Sequence, residues 1–237
     1  MKLFVCSGLP QGRIGLLVAE GRVADWLGPS EIDAWEGPVE DFGSAQILPA
    51  FIDPHCHILP TGLDLLKLHL GQCQTKQEVL DAVRDRLSDV PPGEWLHAVH
   101  YDQNRFPDGS HLSREELDSV APDVPVLLRH SNGHASVANS AALSAANVSE
   151  DEADPAGGTY VRNASGRLTG VLLERAHEYV TDQAPAPSLD QMVEAIVRAG
   201  NAMACYGIAS AADMMTGRWD LDAELTAYRL ASEAGCP

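Results

Sequence analysis

Residues 47–60 read ILPAFIDPHCHILP. Six mostly apolar residues run into Asp53 and Pro54, and His55 and His57 then flank Cys56. An apolar run of this length closed by Asp-Pro predicts a buried strand that ends at the histidines. Side chains alternate faces along a strand, so His55 and His57 point one way and Cys56 the other. A rigid strand then serves as a mount for two neutral imidazoles aimed at one divalent metal, with oxygen donors or a carboxylate completing the shell. The bare pattern is weak by itself. Nine histidines in 237 residues give about 0.3 such pairs by chance, and surface or core histidines are the competing explanation.

Upstream, residues 1–48 read as short strands. KLFVCSG, RIGLLVAEGRVADW and AQILPAF are apolar segments punctuated by glycines, with EGR at 20–22 as a tight turn. Downstream the period changes to that of helices. TKQEVLDAVRDRLSDV opens with Thr75 and Glu78 in capping-box spacing, SREELDSV with Ser113 and Glu116, and SLDQMVEAIVRAGNAMACYG with Ser188 and Gln191. A last helix is expected from Asp220 to about Ala234, ending at Gly235. Between the helices lie strand-like runs at 95–101, 125–130, 169–174 and 207–214. Strands alternating with helices after an all-β start predict an α/β domain with a parallel sheet. The acidic, glycine-bearing stretch at 147–159 is expected to be an exposed loop.

Composition narrows the partners. The 34 acidic residues against 16 basic ones give a net charge of −18, a field that repels phosphate and argues against nucleic acid or an anionic membrane. Five scattered cysteines without a CxxC pair read as reduced thiols of an intracellular, cytoplasmic protein. The first residues lack the apolar core of a signal peptide, and no run approaches the roughly 18 apolar residues of a membrane span.

Several motifs in order carry a resemblance. LPAFIDPHCH, GEWLHAVHYDQNRFPDG, LSREELDSVAPDVPVLLRHSNGHASVANSAAL, GRLTGVLLERA and GIASAADM together resemble the metal-dependent amidohydrolase superfamily. They are most similar to its YtcJ-like branch, amidohydrolase 3, which includes N-substituted formamide deformylases. The resemblance spans nearly all of residues 15–237. It implies a TIM-type (β/α)8 barrel, incomplete in this chain, with an N-terminal β-sandwich segment and an α+β insertion. The implied divisions are 1–48 for the sandwich part, 49–60 for the first barrel strand, 61–185 for an insertion over the site, and 186–237 for early barrel helices and the second strand. Relatives run to about twice this length, so the chain is expected to be an N-terminal fragment. A lysine, two histidines and an aspartate of the family's site then have no counterpart here. Ala50 also stands where the family usually has glycine, a place where a methyl group could crowd a close backbone approach.

The implied chemistry is hydrolysis of an amide- or formamide-type C–N bond in a small molecule. One or two divalent ions, zinc first among them, activate water to hydroxide. His55 and His57 match the first two metal ligands. Glu174 matches a further ligand or active-site carboxylate, against the alternative of a strand-end acid at the start of a helix. His134 matches a pocket-side histidine for the substrate carbonyl or oxyanion. Asn139, grouped with the substrate-binding candidates, is expected to orient the neighbouring loop, and Asp102 to line the pocket, with a solvated loop acid as the equal alternative. Ser-Asn-Gly between His130 and His134 favours a turn over a shared helix face. Asp213 ends a barrel strand, with a helix N-cap as its plainer role. Two other classes stay open: a non-catalytic metal- or ligand-binding protein, including a half-enzyme that needs a partner chain, and a structural module with idle histidines. Homo-oligomer formation by a full-length protein also stays open.

Overall fold

The computed structural model describes residues 1–9 and 12–236. The expected segments 1–48 and 186–237 therefore include Pro10, Gln11 and Pro237, which lie outside the described residues. The chain forms two compact units, Met1–Phe51 and Ile52–Pro237.

In the first unit, β1 (Lys2–Leu9), β2 (Gly12–Ala19), β3 (Arg22–Leu27) and β4 (Val39–Asp41) form a sheet in the order β3-β2-β1-β4. β4 runs parallel to β1, and the other pairs are antiparallel. The EGR turn joins β2 to β3. Glu20 (φ 51°) and Gly21 (φ 72°) are both left-handed, and Ala19 faces Arg22 across the turn. Two successive positive φ values match the right-handed twist of a two-residue hairpin. Helix α1 (Pro29–Asp33) buries Ile32 against Leu3 and Val5. The strand expected over AQILPAF is shorter than its apolar content suggests: residues 45–50 carry no regular structure. Pro49 has no amide proton to give to a ladder, and pairing starts only after it.

In the second unit, β5 (Phe51–Cys56) is followed by α2 (Ile58–Leu66), β6 (Leu68–His69), α3 (Lys76–Arg86) and β7 (Leu96–Tyr101). Then come α4 (Arg114–Asp118), β8 (Val126–His130), β9 (Ala135–Ala138), α5 (Ser140–Ala145), β10 (Gly158–Arg162) and β11 (Leu168–Glu174). The unit closes with α6 (Arg175–Asp182), α7 (Leu189–Cys205), β12 (Ile208–Asp213) and α8 (Leu221–Glu233). The Ser113/Glu116 and Ser188/Gln191 boxes are reciprocal, each side chain bonding the other's backbone amide. Thr75 accepts from Glu78 N, while the Glu78 carboxylate turns to Gln74 N.

Six strands form one sheet in the order β10-β11-β9-β8-β7-β6. Only β6, β7 and β8 are parallel; β8, β9, β11 and β10 are antiparallel. The expected parallel sheet is thus a mixed one. Its physical cause is the short turn at 131–134, which can return the chain only antiparallel. Alternation gives the sheet two buried faces. Leu96, Ala98, Val126, Leu128, Val137 and Val171 pack with Val79 and Val83 of α3 and with Leu117. Leu127, Ala138 and Leu172 pack with Ala142 of α5 and with Ala176 and Val180 of α6.

β5 pairs separately with β12, and no closed barrel is present among the described residues. Helices α2, α7 and α8 share a core of Leu59, Met192, Ala195, Ile196, Ala227 and Ala231. Gly62 makes the crossing of α2 and α7 feasible, because a Cβ there would lie 1.9 Å from the Ala195 carbonyl oxygen. No helix among the described residues is long and apolar enough to cross a membrane. Cys6, Cys56, Cys73 and Cys205 carry free thiols.

Candidate metal centre

β5 ends at Cys56, and His57 is the N-cap of α2 with φ −130° and ψ 80°. The chain turns from strand to helix at that residue. Asp53 Oδ1 accepts from His55 N at 3.1 Å, tightening the Asp-Pro-His segment. The two imidazoles lie edge to face with ring centroids 5.5 Å apart. His55 is exposed, whereas His57 Nδ1 is buried and has no hydrogen-bond partner. A buried polar nitrogen left without a partner costs about 1–3 kcal/mol, a cost that binding a cation would remove. These two imidazoles therefore fit a divalent metal.

Cys56 points to the other side, as alternation requires. Its Sγ lies 3.4 Å from the Ala212 carbonyl, to which it donates. Burial first, then Asp53 and Asp213, pushes its thiol up and disfavours a thiolate ligand. Asp213, at the end of β12, accepts through Oδ2 from Ile58 N (3.0 Å), Leu59 N (3.4 Å) and the Tyr228 hydroxyl, and through Oδ1 from Met215 N (2.7 Å). It caps a helix, but the helix is α2, which begins 155 positions before it. Burial raises its pKa, and the four hydrogen bonds outweigh that and hold the carboxyl below its ordinary range.

His134 and Glu174 form a second pair, Nδ1 to Oε2 at 3.1 Å. Local turn chemistry positions the histidine: Gly133 is left-handed (φ 77°) and Asn132 Oδ1 accepts from His134 N. Glu174 N donates to the His134 carbonyl at 2.8 Å. Glu174 itself has φ 52° and ψ −121°, a region that is costly for any side chain. Strained residues of this kind concentrate at functional sites. Both side chains are exposed, at 69% and 61%.

Among the described residues, no group of three or more His, Cys, Asp or Glu side chains is arranged to hold a metal ion. Glu174 therefore does not complete a set with His55 and His57; its carboxylate is engaged by His134. His130 is buried, with Nε2 2.8 Å from Gln103 Oε1 and Nδ1 accepting from Asn132 N. Asp102 lies 3.6 Å from His130 Nε2 and caps the short helical turn at 103–105 through Asn104 N. Asn139 is fully buried. Its Oδ1 accepts from Val126 N and Ala142 N, and its Nδ2 donates to the Ala121 and Val124 carbonyls. Every polar atom of the Asn139 amide is used internally, which suits the expected role of orienting the neighbouring loop and leaves none for a substrate contact.

Several polar groups escaped the sequence reading. Arg129 on β8 pairs with Asp64 on α2. The His69 and His100 rings lie tilted at 31° with centroids 4.4 Å apart, and His100 is left-handed at φ 59°. His177 Nδ1 meets Ser136 Oγ at 3.0 Å. No short motif announces these pairs, because the partners are 65, 31 and 41 positions apart. A cleft of about 560 Å³, lined in part by Lys67, Trp95, His97 and Trp219, has none of the histidine pair or the His134–Glu174 pair on its walls.

Comparison with known proteins accords with this architecture. Residues 41–237 match the sequence profile of the Amidohydrolase family. The chain is 35% identical over 155 residues to YtcJ of Bacillus subtilis (strain 168), covering 65% of this chain and 29% of that protein. It is 30% identical over 230 residues to the N-substituted formamide deformylase of Arthrobacter pascens, covering 93% of this chain and 42% of that enzyme. The chain thus spans less than half the length of these curated relatives. In fold it is similar to an uncharacterized metal-dependent hydrolase from Pyrococcus horikoshii OT3, with a TM-score of 0.66 at 21% identity, over 99% of this chain and 45% of that structure. With a family match over most of its residues, the chain belongs to the amidohydrolase family.

Proposed function

We propose that this chain carries part of the active site of a metal-dependent hydrolase of amide- or formamide-type C–N bonds. The observation that carries the reading is the unpartnered, buried Nδ1 of His57 beside the His55 ring at the end of β5. His55 and His57 would hold a divalent metal, with zinc favoured by the imidazole donors. When bound, such an ion polarises a carbonyl and lowers the pKa of water. The remaining ligands would come from the part of the relatives that this chain does not cover. β5 and β12 would be the first two strands of a (β/α)8 barrel, and the six-stranded sheet an insertion that shapes the substrate cavity. The four-stranded sheet would be part of an N-terminal sandwich.

Glu174 and His134 act together in this reading. The carboxylate Oε2 accepts from Nδ1–H and fixes the imidazole tautomer, so Nε2 is left to face the substrate. There Nε2 takes a proton when the ring is neutral and donates one to a carbonyl oxygen when the ring is doubly protonated. The strained backbone of Glu174 keeps its carboxylate at that ring.

Zinc titration by calorimetry and metal content after dialysis test the ligand assignment. The wild-type chain should take up zinc, and His55→Ala and His57→Ala should each abolish that uptake. Unchanged stoichiometric zinc in the double variant would overturn it. A full-length protein should then turn over formamide or amide substrates, and the 237-residue chain alone should not. Two converging imidazoles without a third donor favour binding without turnover for this chain by itself.

A further inference from the structure

We propose that Asp213 and Tyr228 are positioning residues that fix the aim of His57 by locking the first turn of α2 to the end of β12. This inference rests on His57 being a metal ligand. His57 is the residue at which strand becomes helix, and it makes no capping bond with its own side chain. The first two amides after it, Ile58 N and Leu59 N, are instead satisfied by Asp213 Oδ2. Free helix N-terminal amides need such an acceptor, and a carboxylate at that end also meets the positive pole of the helix.

The acceptor is itself held from two further directions. Tyr228, on α8, donates its hydroxyl to the same Oδ2, and Met215 N donates to Oδ1. Three of the four donors converge on Oδ2, and Met215 N alone engages Oδ1. Asp213 is thereby committed through Oδ2 to the start of α2 and to α8, at the end of a strand beside the histidine pair. Its role is to tie three elements together one residue beyond a ligand. The backbone also joins there, since Met214 N donates to the Cys56 carbonyl at 2.9 Å. Cys56 lies between the two histidines, so the β12 end grips the His-Cys-His segment from both sides: through the Cys56 carbonyl and through the start of α2. Tyr228 is half-buried, and burial together with Asp213 raises its pKa, so its hydroxyl stays a donor throughout the physiological range.

The test uses Tyr228→Phe and Asp213→Asn in the whole chain, with two readouts. Hydrogen exchange at Ile58 and Leu59 in metal-free protein reports the lock directly: both variants should exchange faster at these two amides. Zinc titration reports the aim of His57. Outer groups that orient ligands typically contribute roughly 10–100-fold in metal affinity, so Tyr228→Phe should weaken zinc by at least tenfold while its thermal midpoint stays close to wild type. A merely structural role would lower the midpoint and leave the zinc affinity of the folded chain unchanged, and that result overturns the proposal. Unchanged exchange at Ile58 and Leu59 overturns it as well. If the wild-type chain takes up no zinc through His55 and His57, the metal reading falls; the exchange data then still decide whether the lock exists.

Discussion

Replacing Glu174 tests whether the strain at the end of β11 is real. At an ordinary position glycine is less stable than alanine by about 0.5–1 kcal/mol, because the unfolded chain gains more freedom. At Glu174 the backbone lies at φ 52° and ψ −121°, which costs a side-chain-bearing residue of order 1–3 kcal/mol and glycine almost nothing. Glu174→Ala and Glu174→Gly both delete the carboxylate and its 3.1 Å contact with His134, so that loss cancels between them. The difference left is strain minus chain entropy, and it favours glycine by about 1 kcal/mol. Urea unfolding of the two variants, followed by circular dichroism, measures it as a higher midpoint for Glu174→Gly at an unchanged slope. Zinc uptake by His55 and His57 should be unaffected in both. A glycine variant less stable than the alanine variant would refute the argument, because glycine would then be behaving as it does at an unstrained site.

Three further outcomes follow from the packing and from His97. Gly62→Ala should destabilise the second unit by about 1–3 kcal/mol or more, since the added methyl meets the Ala195 carbonyl; a midpoint equal to wild type would contradict the crossing described here. Asn139→Ala should cost about 2–4 kcal/mol, the sum of a lost N-cap and a buried Val126 amide without an acceptor, and chemical unfolding checks it. His97 lies flat against Trp95, and burial foremost, with Lys67 and Arg129, lowers its pKa from 6.5 to about 4. The unfolded chain therefore protonates first as the pH falls: the stability from His97 is intact above about 6.5, erodes at up to about 1.4 kcal/mol per pH unit, and is gone below about 4. His97→Phe should flatten the fall in unfolding midpoint between pH 7 and 5, and an unaltered slope would count against the burial argument.

What could be read from the chain was what is local in it. Ser113 with Glu116 and Ser188 with Gln191 are three residues apart, and their caps formed as the spacing required. The turn between His130 and His134 followed from Ser-Asn-Gly, and the closeness of the His55 and His57 rings from their spacing. Structure set by distant partners was not legible. Asp213 gave no sign that it caps a helix beginning at Ile58, nor Arg129 that it meets Asp64. The apolar run at 47–52 suggested a longer strand than Pro49 permits. Glu174 is a glutamate in a conformation that composition assigns to glycine, so its strain had no signature in the sequence at all. Asn139 was legible as a residue that orients its loop, but nothing in its neighbours discloses that its whole amide is enclosed.

The contact at Gly62 has a mechanical consequence. With the Ala195 carbonyl pressed against its backbone, α2 cannot roll about its own axis without collision, and any shift of α7 must carry α2 with it. His57 stands at the pivot end of that coupled pair. A displacement of α7, whatever its source, is thereby delivered as a change in the direction in which one imidazole points.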